Sequence, residues 1–256
     1  MVHKLLYRIL PLEGYLRVVS SLFFLWQRLS IGRHSAALEY VYHLEQLVGR
    51  GDHCLDIGAN LGYYTRTLAR LVGPEGRVHA VEPMAPMRHI LEKNLRREHN
   101  VTIYPYALGE ADREVVMAND SAREAGYLGT GQNFVKESRE QDCQVEHRAE
   151  MRRGSELFGT LPRLDFIKCD IEGYEWHVMQ EMRPVLEKYR PTVLIETGGE
   201  NRPRIIALFE ELGYRGYTLH EGREIPLSPE SGKDIIFRNS EFKIQNSKLD
   251  SASYDE

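Results

Sequence analysis

Only three cysteines, Cys54, Cys143 and Cys169, occur in 256 residues, too few and too scattered for a disulfide framework or a C-x-x-C metal site. They read as free thiols in a reducing compartment. Net positive charge is also missing: 33 Lys and Arg against 38 Asp and Glu leave a formal charge of -5, so no nucleic-acid partner is expected. Long apolar runs are absent near the amino terminus, where the uncharged stretch Val18 to Gln27 has ten residues, and a spanning helix needs about twenty. No H-E-x-x-H and no G-x-S-x-G occurs, so metalloprotease and serine-hydrolase readings lack support.

What remains has the composition of an ordinary globular protein and a length suited to one α/β domain with an extension. The first 35 residues carry Lys4, Arg8, Arg17, Arg28 and Arg33 against the single Glu13. Glu13 and Arg17 interrupt the apolar pattern and no small-x-small site follows, so the segment does not read as a secretory signal and the chain is expected in the cytoplasm. Two readings stay open: a helical extension packed on the domain or on a homodimer partner, and peripheral contact of residues 1–35 with anionic lipid. The division expected is a basic, aromatic helical extension over 1–48, a catalytic domain over 49–240 and a polar tail over 241–256.

From Asp52 onward, β-branched apolar runs alternate with helical patterns, the mark of βαβ units. Strands are predicted at His53 to Ile57, Arg77 to Glu82, Thr102 to Tyr106, Leu164 to Lys168 and Thr192 to Glu196. Helices fall over Tyr63 to Val72, Pro86 to Glu98, Tyr174 to Lys188 with a break or fresh turn at Pro184, and Pro203 to Leu212. Residues 113–151 break the rhythm with two strand-like pieces, Glu114 to Met117 and Gln144 to Ala149, around a polar loop. Tyr214 to Leu219 and Asp234 to Phe237 suggest a terminal hairpin.

The first strand ends in Asp56-Ile57-Gly58-Ala59-Asn60-Leu61-Gly62, a D-x-G-x-N-x-G turn. A dinucleotide fingerprint starting at Gly58 would need glycine where Asn60 and Tyr63 stand, so a nicotinamide-dependent oxidoreductase remains only an alternative. An acid beside the turn repels a pyrophosphate and suits a cationic guest. The second strand ends in Val81-Glu82-Pro83, which places Glu82 to accept both ribose hydroxyls. S-adenosylmethionine combines these features: a ribose for Glu82, an ammonium near Asp56 and a sulfonium favoured by negative surroundings.

The chain resembles the FkbM-type methyltransferases. The resemblance rests on Leu55 to Thr65, Leu71 to Val78 and Val81-Glu82-Pro83. Asp165-Phe166-Ile167-Lys168-Cys169-Asp170-Ile171-Glu172-Gly173 and Leu186 to Pro191 add to it, and the whole covers about residues 50–240. It implies a class I, Rossmann-like fold of seven mostly parallel strands with an antiparallel last strand, S-adenosylmethionine as donor, and O-methylation of a hydroxyl. Asp56, Gly58, Ala59, Asn60, Gly62, Tyr63, Glu82 and Asp170 would then bind cofactor, with Ala107 at the adenine position, where no acid stands.

A hydroxyl acceptor must lose its proton, and the candidate groups follow the fourth and fifth strands: Asp170, Glu172 and His177, then Glu196. Asp170 or Glu172 would orient or deprotonate the acceptor, unless Glu172 instead caps the following helix. For His177, packing competes with catalysis. Asp170 with Glu196 is a weak candidate pair for a divalent metal, which is not favoured. In the loop Gly126 to Gln132, Tyr127 would meet the acceptor under a glycine-hinged lid. The expected acceptor is a small molecule, a saccharide or a lipid-linked molecule, and the other-class alternative is a non-catalytic nucleoside-binding or membrane-docking module.

Overall fold

Strand β1 (His53–Ile57) is buried at four of its five positions, as is β2 (Arg77–Val81). Such near-continuous burial belongs to a parallel sheet covered on both faces. The computed structural model describes residues 2–33, 35, 38–136 and 143–239, so the expected tail over 241–256 lies outside the described residues. The remaining strands are β3 (Val101–Tyr104), β4 (Tyr106–Leu108), β5 (Arg113–Asn119), β6 (Phe134–Val135), β7 (Val145–Arg152), β8 (Phe166–Cys169), β9 (Thr192–Glu196), β10 (Tyr214–His220), β11 (Arg223–Pro226) and β12 (Asp234–Asn239).

The main sheet has the order β11-β10-β12-β9-β8-β1-β2-β3. Strands β9, β8, β1, β2 and β3 pair in parallel, and β12 runs antiparallel to both of its neighbours. This is the class I sheet with one reversed strand, widened from the expected seven strands to eight by β11 at the edge. The predicted hairpin is present as the β10–β12 pair, Tyr214 opposite Asn239, while the turn-rich link between them folds into β11 on the other side of β10. The stretch that breaks the βαβ rhythm contributes β4, β5, β6 and β7, which among the described residues form a second sheet in the order β4-β7-β5-β6.

The fourth crossover divides into helices Glu175–Glu181 and Arg183–Tyr189, with Pro184 in the first turn of the second. A proline there lacks only an N–H that no helical carbonyl would have used. At the other end of the chain, helix Leu12–Arg28 lies on the domain. Tyr15 and Leu16 are buried in the main core, and Gln27 Nε2 donates to Thr67 Oγ1 at 2.6 Å. Full burial of an apolar side chain of this size contributes about 1.5–3 kcal/mol, so the amino-terminal helices are part of the folded unit. No helix among the described residues is long and apolar enough to cross a membrane.

Candidate active site

The turn after β1 is tied to the end of β2 by its own backbone. Gly58 and Ala59 N–H both donate to the Val81 carbonyl, at 3.0 and 2.9 Å. Gly58 has φ +80°, and a Cβ there would sit 2.1 Å from the Asp170 carbonyl oxygen, so only glycine allows the β1 and β8 turns to meet. Glu82, 3% exposed, accepts Asn60 N–H on Oε2 and Met84 N–H on Oε1, both at 2.8 Å. Burial drives its carboxyl up to about 7 while those two N–H groups pull it back. Each of its oxygens keeps a lone pair toward the cleft. Asn60 Oδ1 beside it is buried and unpartnered. An orphan acceptor next to a buried carboxylate fits a guest rich in O–H and N–H donors, which ribose hydroxyls and an ammonium provide.

Asp56 is placed differently from expectation. It is fully buried, its Oδ2 accepts the Thr65 hydroxyl at 2.6 Å, and Oδ1 lies 3.6 Å from Lys168 Nζ, its neighbour across the β1–β8 register. Lys168 in turn donates to the Gly58 carbonyl at 3.1 Å and stands 3.4 Å from Asp170 Oδ2. Burial works against its charge, but Asp170 and Asp56 outweigh it and hold the ammonium above the ordinary lysine range. Asp56 therefore acts behind the cleft wall: it fixes Lys168, which braces Gly58 and Asp170, and it does not itself line the cleft.

Above β8 and β9, Asp170, Glu172 and Glu196 offer carboxylate oxygens all within 4.8 Å of one another. Glu172 has φ +56° and is followed by Gly173 at +103°, a left-handed pair that swings Glu172 outward to the rim. The capping role falls to Glu175, whose carboxylate accepts Ile171 N–H at 3.0 Å and Gly173 N–H at 3.0 and 3.1 Å. Desolvation in the cleft mouth, then the charges of Asp170 and Glu175, push the Glu172 carboxyl up to about 7. Burial and a hydrogen bond shared with Asp170 raise Glu196 well above the usual carboxylate range. Three such groups can hold a hard divalent cation, and Glu172 is the third ligand that the pair Asp170 and Glu196 lacked.

The cleft is lined by Gly58, Asn60, Glu82, Asp170 and Glu172, and from the opposite side by Thr130, Gly131 and Asn133. It keeps about 50 Å³ of free volume. Ligand pockets run from roughly 300 Å³ upward, so the cleft with the 129–133 segment in this position is smaller than a nucleoside site. Tyr127 does not face this space: its ring packs 5.3 Å from His3, and the adjacent Leu128 carbonyl accepts the Tyr15 hydroxyl at 2.9 Å. Ala107 is buried in β4 of the second sheet, away from the lining. His177 stacks on Tyr174 at 4.4 Å, beside the Tyr174–Glu110 hydrogen bond, and stands apart from the acids. Gly62 begins helix Tyr63–Val72, Ala59 packs in a satellite cluster, and Tyr63 lies against Phe23 at 4.2 Å. Sequence reasoning missed Lys168 and Glu175. The signal for Lys168 is a lysine inside the apolar strand Phe166-Ile167-Lys168-Cys169, a position that requires anionic partners.

A model of the methyltransferase FkbM domain matches residues 56–215. The AMB antimetabolite synthetase AmbE of Pseudomonas aeruginosa is 30% identical over 172 residues, 55% of this chain and 8% of that protein. Protein-L-isoaspartate O-methyltransferase of Caenorhabditis elegans is 37% identical over 67 residues, 26% of this chain and 28% of that protein. The chain thus spans only 8% and 28% of these curated relatives. Among solved structures, methyltransferase FkbM from Methylobacillus flagellatus superposes with a TM-score of 0.51 at 16% identity, over 75% of this chain and 44% of that one, a likeness of fold.

Proposed function

The chain belongs to the FkbM methyltransferase family, and from that premise we propose that it moves a methyl group from S-adenosylmethionine to a hydroxyl oxygen of a small-molecule, saccharide or lipid-linked acceptor. One observation carries this reading: the buried acceptors Glu82 and Asn60 Oδ1 share a cleft with the carboxylates Asp170 and Glu172. When bound, S-adenosylmethionine supplies an electrophilic methyl on a sulfonium and departs as a neutral thioether. Glu82 accepts the ribose hydroxyls, and Asn60 takes a further donor. Lys168 holds Asp170 in place from behind. Glu172 receives the acceptor's proton as its oxygen forms the new bond to carbon, a task for which a carboxyl raised to about 7 is matched to neutral pH. The 129–133 segment excludes water once closed, which favours alcohol over water as the nucleophile.

The Lys168 ammonium, 3.4 Å from Asp170, offsets part of the negative charge of the crowded carboxylates, and the proposed transfer draws on no cation. Labelled S-adenosylmethionine incubated with the chain and a cell extract should yield an O-methylated product heavier than its hydroxylated precursor by one methylene by mass spectrometry. Exhaustive chelation should leave the yield unchanged. Label found only on nitrogen or carbon would overturn the oxygen assignment, and loss of yield restored by a divalent ion would overturn the metal-free one.

A further inference from the structure

Outside the cleft lining, helix Leu12–Arg28, helix Tyr63–Val72 and the end of helix Ala85–Leu95 border a cavity of about 540 Å³. Arg17, Arg66, Lys93, Arg96 and Arg97 line it against the single carboxylate Glu98. Glu98 is spent on Arg70 at 3.0 Å and Arg66 at 3.8 Å, and Lys93 pairs with Glu13. Arg17, Arg96 and Arg97 make no side-chain hydrogen bond or ion pair with any described residue. The Arg66 guanidinium lies over the Phe24 ring, 4.4 Å from its centroid, which directs the group into the cavity wall. Cations gathered this closely repel one another unless an anion joins them.

Arg17 and Ser21 belong at once to this cavity and to a second groove, of about 460 Å³, lined by Leu10, Val18, Leu22 and Leu25. At and just past the end of this helix, Leu25, Trp26, Leu29 and Ile31 are 47%, 49%, 59% and 49% exposed. A basic hollow opening directly into an apolar channel is complementary to an anionic amphiphile, with the head group among the arginines and the tail along the leucines.

We infer that this face is a docking surface for an anionic phospholipid bilayer, the head-group phosphate seated among Arg17, Arg66, Arg96 and Arg97 and the Leu25–Ile31 edge resting in the acyl boundary. The attachment inferred is at the bilayer surface, and no helix among the described residues is long and apolar enough to cross a membrane. It places the whole chain at the surface without occupying the cleft.

The test is sedimentation of the intact chain with vesicles of phosphatidylcholine alone and of phosphatidylcholine mixed with phosphatidylglycerol. The expected result is binding to the anionic vesicles only, lost as salt screens the charges. Arg96→Gln with Arg97→Gln should weaken it about 25-fold, about fivefold for each cation near the surface. Leu25→Ser with Leu29→Ser should weaken it as well, and Arg17→Gln alone about fivefold, all with unchanged melting temperature. Equal partition onto neutral vesicles, indifference to the arginine variants, or full displacement by free glycerol phosphate would overturn the inference. So would a vesicle-independent dimer in sedimentation velocity that the leucine variants dissociate.

Discussion

Glu172→Gln should lower turnover by about 10²- to 10⁴-fold, the range general-base catalysis supplies, while leaving donor affinity unchanged. The side chain is at the rim and takes no part in packing, and its turn is held by Glu175, so the fold survives the change. The pH dependence separates a base from a bystander. A carboxyl raised to about 7 is protonated below that pH and inactive as a base. The activity of the unmodified chain should therefore fall tenfold per pH unit on the acid side, with a midpoint at or below about 7. With donor saturating, so that titration of Glu82 in the binding site is not read, the glutamine variant should be flat over the same range. An acid limb that persists in the variant would assign the proton to another group, with the raised carboxyl of Glu196 first.

Lys168→Met should destabilise the fold by about 3–5 kcal/mol, the cost of leaving a buried charge without its partner. For a domain of this size that is a fall in melting temperature of roughly 6–20 °C. Asp56 is fully buried, its carboxylate takes the Thr65 hydroxyl and the Lys168 ammonium as partners and feels the charge of Asp170, so methionine in place of lysine strands it. The folded pKa of Asp56 then lies above its unfolded value, a shift that favours the protonated folded form. The deficit should accordingly shrink as pH falls through that raised pKa and grow toward neutrality. Adding Asp56→Asn to Lys168→Met removes the stranded charge and should recover most of the loss in urea unfolding. A double variant no more stable than the single one would show that Lys168 stabilises by packing and not by charge.

How far these groups were legible depends on the kind of signal each residue emits. β1, β9 and helix Tyr63–Val72 have the bounds expected from sequence, because unbroken apolar runs and the Gly73-Pro74-Glu75-Gly76 stop leave no competing register. The paired acids at the ends of β1 and β2 were legible as a site, yet spacing could not say that Asp56 turns inward to a lysine 112 residues away while Glu82 turns to the cleft. That difference is set by register across β1 and β8, which is a tertiary fact. Short strands such as β4 and β11 carry too few residues for a period to show. The loop Gly126 to Gln132 was legible by its glycines. Which side chain it offers depends on helix Leu12–Arg28, whose Tyr15 hydroxyl holds Leu128 and leaves Thr130 and Asn133 at the cleft.

The same helix carries the lipid-facing groove and anchors the loop that borders the cleft. Attachment and access to the cleft thus meet on one element.

Everything said of the chemistry depends on the donor being held at the ends of β1 and β2, and titration calorimetry of S-adenosylmethionine into the unmodified chain and into Glu82→Gln reads this directly. Hydrogen bonds to a charged group contribute about 1.5–3 kcal/mol each, so the variant should bind the donor at least about 10- to 100-fold more weakly while still folding. A dissociation constant that Glu82→Gln leaves unmoved would contradict the account.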